Sequence, residues 1–248
     1  MASAKVDREG LRGISSMAMR HVLTELTETY ERRSGQRVVV EAVGGVDALR
    51  RVQEGEPFDF VVLASDAIDA LAAAGHVDPE TRSDLAHSGI ALAVKAGTPT
   101  PDITNERAVR DLIIGARSVG YSTGPSGSHL ARLFERWRIA DAVATRLVKT
   151  PPGVPVGALI ARGDVELGFQ QLGELMHMPD IDVIGLLPSE IQAITVFSAA
   201  ISNSSNRQSA AKAFLSFLAS PDADAAKRRN GMEPARGLSG RIAFASGT

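Results

Sequence analysis

Short apolar runs of strand character alternate with helix-patterned runs along most of this chain, and that alternation narrows the fold more than any other feature. "GLRGIS" (10–15) precedes a stretch from Ser16 to Ser34 in which Met19, Val22, Leu23 and Leu26 recur at three- and four-residue steps, with Gly35 as the stop. "RVVVEAV" (37–43) reads as a strand, "DALRRVQEG" (47–55) as a helix, "FDFVVLAS" (58–65) as a buried strand and "DAIDALAAAG" (66–75) as a helix. A βαβαβ order of this kind implies parallel strands covered by helices on both faces. Ligands of such sheets sit at the carboxyl ends of the strands.

The pattern resumes after a break. "GIALAVKAG" (89–97) is a long apolar strand, "TPTPDI" (98–103) a proline-punctuated connection and "ERAVRDLIIGA" (106–116) a helix. The short strand "RSVGYS" (117–122) leads to the helix "GSHLARLFERW" (127–137) and the strand "TRLVKT" (145–150). A helix at 154–164 and strands at 165–170 and 181–187 follow. The apolar run "IQAITVFSAAIS" (191–202) then leads to "RQSAAKAFLSFLAS" (207–220), a helix with Ala211, Phe214, Leu215 and Leu218 on one face. The tail from Gly231 to Thr248 reads as a loosely structured wrap.

Composition excludes several classes. At 248 residues and 44% hydrophobic, the chain can bury a proper core, as one large domain or two lobes. A net charge of −2 gives no general field for nucleic acid, and an aromatic content of 4% leaves few stacking platforms for bases or sugars. Without cysteine there are no disulfides, thiol nucleophiles or thiolate metal sites. No window approaches the eighteen consecutive apolar residues of a membrane span, and "MASAKVDREGLRG" has no signal-peptide apolar stretch. As written the chain reads as cytoplasmic, and as periplasmic if a native signal peptide has been removed. His76, His87 and His177 lack a second ligand at metal spacing, so neither a metal nor a cofactor is called for. No phosphate-loop, dinucleotide or nucleophile-elbow motif is present.

Four strand-to-helix junctions carry similar chemistry: "GISSMA" (13–18), "VGGVD" (43–47), "YSTGPSG" (121–127) and "TPPGVPV" (150–156). Each places small residues, hydroxyls or free amides where a helix begins. A single junction of this sort is ordinary capping. Four at the carboxyl ends of parallel strands suit an anion held by hydrogen bonds without formal positive charge. The candidate ligand contacts are therefore Ser15, Ser16, Gly44, Gly45, Ser122, Thr123, Ser126, Gly127, Gly153 and Val154.

In order and spacing, "GISSMA", "GGVDALRRVQEGEPFDFVVLASD", "SVGYSTGPSG", "PPGVPVGALIARGDVELGFQQLGEL" and "IQAITVFSAAI" resemble the molybdate-binding branch of the type II periplasmic solute-binding proteins. The likeness runs from about Leu11 to about Lys227. It implies an α/β fold of two lobes, each a mostly parallel sheet flanked by helices. Lobe I would be 1–87 with 196–248 and lobe II 88–195, with two hinge crossings near Ser88 to Lys95 and Ile191 to Ile201. It further implies a small anion in the cleft between lobes and, for an exported receptor, an ABC permease as partner. Neither nucleic-acid binding nor membrane insertion is expected.

This chain departs from the family's tetrahedral-oxyanion binders. Ser16 matches their first serine, but Gly44 and Gly45 stand where a second hydroxyl is expected, and Gln170 and Gln171 where a tyrosine closes the site. Arg12, at the end of the first strand, where a buried parallel strand should be apolar, offers a guanidinium to a carboxylate, or equally lies outward or against an acid of its own lobe. These differences argue for an organic di- or tricarboxylate over molybdate or sulfate.

Two function classes stay open. One is a receptor that binds such an acid and releases it unchanged. The other is a cofactor-free isomerase, since the branch includes aconitate-isomerase-like members that move a proton across an allylic polycarboxylate. For the enzyme, His129 is a candidate base in the first turn after "GPSG", or else a surface or hinge contact. Glu174 is a second candidate, or else a helix-capping partner.

Overall fold

The computed structural model describes residues 10–151 and 153–237. Two compact units form, with the chain passing from one to the other at Ala86/His87 and back at Thr195/Val196. The chain opens with β1 (Leu11–Ser16), α1 (Arg20–Ser34), β2 (Val38–Val43), α2 (Gly45–Gln53), β3 (Phe60–Ala64) and α3 (Ser65–Ala73). A long strand, β4 (Ser83–Lys95), carries it into the second unit. There follow α4 (Glu106–Gly115), β5 (Val119–Tyr121), α5 (Pro125–Arg136), α6 (Ala140–Val143), β6 (Leu147–Lys149), α7 (Val156–Arg162), β7 (Leu167–Gln171), α8 (Leu172–Leu175) and β8 (Ile181–Leu186). The return strand is β9 (Ile194–Ile201), followed by α9 (Gln208–Leu218), α10 (Asp224–Arg229) and the two-residue β10 (Glu233–Pro234).

In the first unit β1 lies between β2 and β3, parallel to both, and β9 joins β3 antiparallel. The run "FVVLA" of β3 is apolar throughout because both faces are covered. Phe60 and Val62 pack with Leu23, Leu26 and Phe214 on one side, while Val61 and Leu63 pack with Val52, Ile68 and Leu71 on the other. The α1 pattern ends where expected: Gly35 takes a left-handed φ of 71° and returns its N–H to the Glu31 carbonyl.

The second unit repeats the plan. β5 runs parallel to β6 and β7, and β4 pairs antiparallel with β7 and β8. One face carries Leu92, Val109, Leu130, Phe134 and Phe169, and the other Ala91, Ala93, Val156, Ile160 and Val165. α4 is started by Asn105, whose side chain accepts the Ala108 N–H at 3.0 Å.

The differences from the sequence reading are local. β4 begins six residues earlier than the apolar run at 89, since "SDLAHS" is extended although it is polar in part. The helix expected from Ser16 instead starts with a 3-10 turn at Met17–Met19. Of the tail, 231–237 holds β10 and a short turn, and the remainder of the expected wrap, 238–248, lies outside the described residues.

Candidate functional site

In the first unit the carboxyl ends of β1, β2 and β3 lie side by side, Ser16 being in register with Val43. Ser16 is the residue before the 3-10 turn, and its hydroxyl is buried without a hydrogen-bond partner. A buried hydroxyl left unsatisfied is costly. Gly44 precedes α2 without a side-chain cap, and Gly45 opens that helix so close to Ser16 that a Cβ on Gly45 would stand 3.8 Å from the serine's own. Ser15, fully buried, turns its hydroxyl to the Ser16 carbonyl at 3.3 Å. A third junction on this edge, Ala64 to Ser65 at the start of α3, escaped the sequence reading. The hydroxyl directly after the apolar run "FVVLA" was the available signal.

Arg12 is elsewhere. It is the second residue of β1, exposed, and four residues before Ser16, which at ~3.3 Å per residue puts it about 13 Å along the strand. Its backbone N–H goes to Asp59 Oδ2 at 2.9 Å, and its guanidinium lies 5.7 Å from the centre of the Phe58 ring. The outward alternative describes this side chain, and no guanidinium belongs to the Ser16 edge through it.

In the second unit the turn after β5 is built around Gly127. A Cβ there would come within 1.8 Å of the Ser122 carbonyl oxygen, so glycine alone lets the backbone fold this tightly. Ser122 Oγ then lies 3.1 Å from Ser126 Oγ. Thr123 is half-buried in the same turn. α5 opens with Pro125 and has no side-chain cap. Its next N–H groups, at Ser126 and Gly127, have no intrahelical acceptor, as at the start of any helix. Gly153 is exposed at φ 78°, and the Val154 N–H is spent on the Pro151 carbonyl at 3.1 Å, within its own turn.

The glutamines at the end of β7 are both buried, at 2% exposure each, and both are engaged by the protein. Gln171, with its Nε2 turned to Ser88 Oγ at 2.9 Å and its Oε1 to the Thr195 hydroxyl at 2.8 Å, ties β7 to β4 and β9. Gln170 Oε1 accepts the Val156 N–H at 2.8 Å, and its Nε2 donates to Glu174 Oε2 at 2.5 Å. Glu174 caps no helix through that contact. Loss of water around its carboxyl lifts it to about 8, and the Gln170 amide acts in the opposite direction. A carboxyl poised near neutrality is suited to moving protons.

His129, half-buried on α5, bonds through Nε2 to the Ile191 carbonyl at 2.7 Å. A carbonyl only accepts, so Nε2 donates and the neutral ring keeps its lone pair on Nδ1. Among the described residues no group of three His, Asp or Glu side chains is arranged to hold a metal ion, and no helix is long and apolar enough to cross a membrane.

Two α/β units joined by paired crossings, with helix N-termini and hydroxyls at the strand ends, define the type II periplasmic-binding fold. Solved structures agree. The periplasmic molybdate-binding protein of Azotobacter vinelandii superposes with a TM-score of 0.75 at 19% identity, over 90% of this chain and 98% of that one. The sulfate-binding protein of Mycobacterium tuberculosis gives 0.74 at 17% identity, over 93% and 88%. Residues 11–233 match the bacterial extracellular solute-binding proteins, and the chain belongs to that family. It is also 37% identical over 227 residues to an aconitate isomerase of Pseudomonas sp., spanning 89% of this chain and 86% of the relative.

Proposed function

We propose that this protein is a cofactor-independent isomerase that shifts the double bond of a small unsaturated polycarboxylate of the aconitate type. The observation that carries the reading is Glu174, held in α8 directly after the carboxyl end of β7 with Oε2 accepting the Gln170 amide N–H at 2.5 Å, its carboxyl raised by burial to about 8. The 37% identity to an aconitate isomerase supports it. So do the glycines at 44 and 45, which leave room where an oxyanion binder would place a hydroxyl.

The chemistry is balanced within the substrate. Ionised Glu174 takes a proton from the methylene carbon next to one carboxylate. The released electron pair spreads over the allylic carbons, and the carboxylates at its ends share the charge. The proton then returns to the other terminal carbon, and the double bond moves by one position. In the second unit the Ser122 hydroxyl and the N–H groups of the first turn of α5 are the groups suited to hold a carboxylate and to favour the charge that develops beside it. No oxidant or metal enters.

The test is proton NMR of cis- and trans-aconitate with the purified protein in deuterated buffer. Interconversion with deuterium entering the terminal carbons is expected. A thermal shift with aconitate but neither turnover nor deuterium would overturn the enzyme and leave the second reading, a receptor for an organic acid. That receptor reading is favoured by the family itself, whose members are described as extracellular solute-binding proteins. It carries with it an exported location, rather than a cytoplasmic one, and a permease partner.

A further inference from the structure

Gln170 sits in the middle of three elements. On β7 successive side chains alternate between faces, so Phe169 enters the core beside α5 while Gln170 turns to the side covered by α7. There its amide meets the first N–H of α7, from Val156, at 2.8 Å. A backbone N–H can only donate, so the atom facing it is Oε1, and the orientation of the amide is thereby decided. Nε2 is left pointing at Glu174 of α8, 2.5 Å from Oε2. A neutral carboxyl could also meet an amide N–H with its carbonyl oxygen, and in both charge states Oε2 is the acceptor. The proton is therefore carried on Oε1.

We infer that Gln170 is a positioning residue for Glu174: locked by the Val156 N–H, it holds one carboxyl oxygen and leaves the other to take and return the proton. This rests on Glu174 being the proton-transfer group of the isomerase proposed above. It also moves Gln170 from the ligand contacts to the support of the acid-base group. The donated N–H stabilises the ionised form, against the burial that opposes it. Of β7 and α7, α7 brings the ionisable Arg162 at its far end, whose Nε donates to Asp164 at 2.8 Å, and the apolar cluster that holds Leu175 of α8 also includes residues of β4, β6 and β8, strands that carry Lys95, Lys149 and Asp182. His177, beyond α8, is exposed.

The experiment uses full-length protein carrying carboxyl-13C glutamate, with the Glu174 resonance assigned by its loss in Glu174→Gln. Wild type should titrate near 8. Gln170→Met removes both bonds and should move the midpoint upward by about one unit, the worth of one charge-assisted hydrogen bond. Gln170→Glu keeps an acceptor for the Val156 N–H and so protects the start of α7. It loses the donor and should move the midpoint at least as far. In turnover of aconitate the acid limb of the kcat–pH profile should shift with it, a loss of about tenfold at pH 7 that is recovered at higher pH, with KM changed much less. A Glu174 midpoint unchanged in both folded variants would overturn the inference, whatever the activity. Absence of turnover in wild type would overturn the function proposed above, while the carboxyl titration still decides whether Gln170 governs Glu174.

Discussion

Gly45 approaches Ser16 so closely that a side chain begun on its Cα would touch the Ser16 Cβ at 3.8 Å, an ordinary contact that requires no displacement. The glycine thus leaves open a space beside a buried hydroxyl that has no partner. Gly45→Ser would set a second hydroxyl in that space. The variant should show a melting shift with molybdate that is absent or smaller in wild type, and about tenfold weaker binding of aconitate. Calorimetry with the two anions checks both. An unchanged preference would mean that selectivity is decided elsewhere.

Glu174 makes stability depend on pH in a definite direction. Its carboxyl lies at 4.5 when unperturbed and at about 8 in the folded protein. Between those values the unfolded chain has released a proton that the native protein retains, so stability falls as pH rises through the window and the loss is complete above 8. At about 1.4 kcal/mol per unit, the upper bound is a few kcal/mol. Glu174→Gln lacks the effect. Its melting temperature should gain on wild type from pH 5 to pH 8 and hold that gain above, and a constant difference would show that the carboxyl is not buried in solution.

His129 and Glu174 can be ranked as bases. With Nε2 committed to the Ile191 carbonyl, His129→Ala should lose about 1 kcal/mol of stability and less than tenfold in aconitate turnover. Glu174→Gln should lose about a hundredfold or more. The opposite ranking would return the proton transfer to His129.

Gly127→Ala tests the turn that presents the α5 N–H groups. A methyl 1.8 Å from the Ser122 oxygen cannot be accommodated without moving the backbone. The expected cost is about 3 kcal/mol, with loss of the thermal response to carboxylates. A variant as stable as wild type would mean that the turn is looser than described.

The sequence by itself determined what local periodicity and covalent chemistry can decide. The three- and four-residue steps of Met19, Val22, Leu23 and Leu26 place α1, the left-handed glycine at 35 ends it, and the uninterrupted apolar run at 60–64 announces a strand covered on both faces. The hydroxyl-rich junctions at Ser16 and Ser122 were legible for the same reason, since a helix start is a short-range event. Tertiary structure decided that Arg12 is exposed near the start of β1, its guanidinium by the Phe58 ring, because the side chain's surroundings come from a distant segment of the chain. It alone decided the roles of Gln170 and Glu174 as well. Four residues apart, they read as an unremarkable polar pair until β7 sets Gln170 against Val156, fourteen residues earlier in the chain, and packing removes the water that would keep the Glu174 carboxyl at its ordinary value. Burial and hydrogen-bond partners come from chain segments brought together by the fold, and a pattern of residue types along one segment does not contain them.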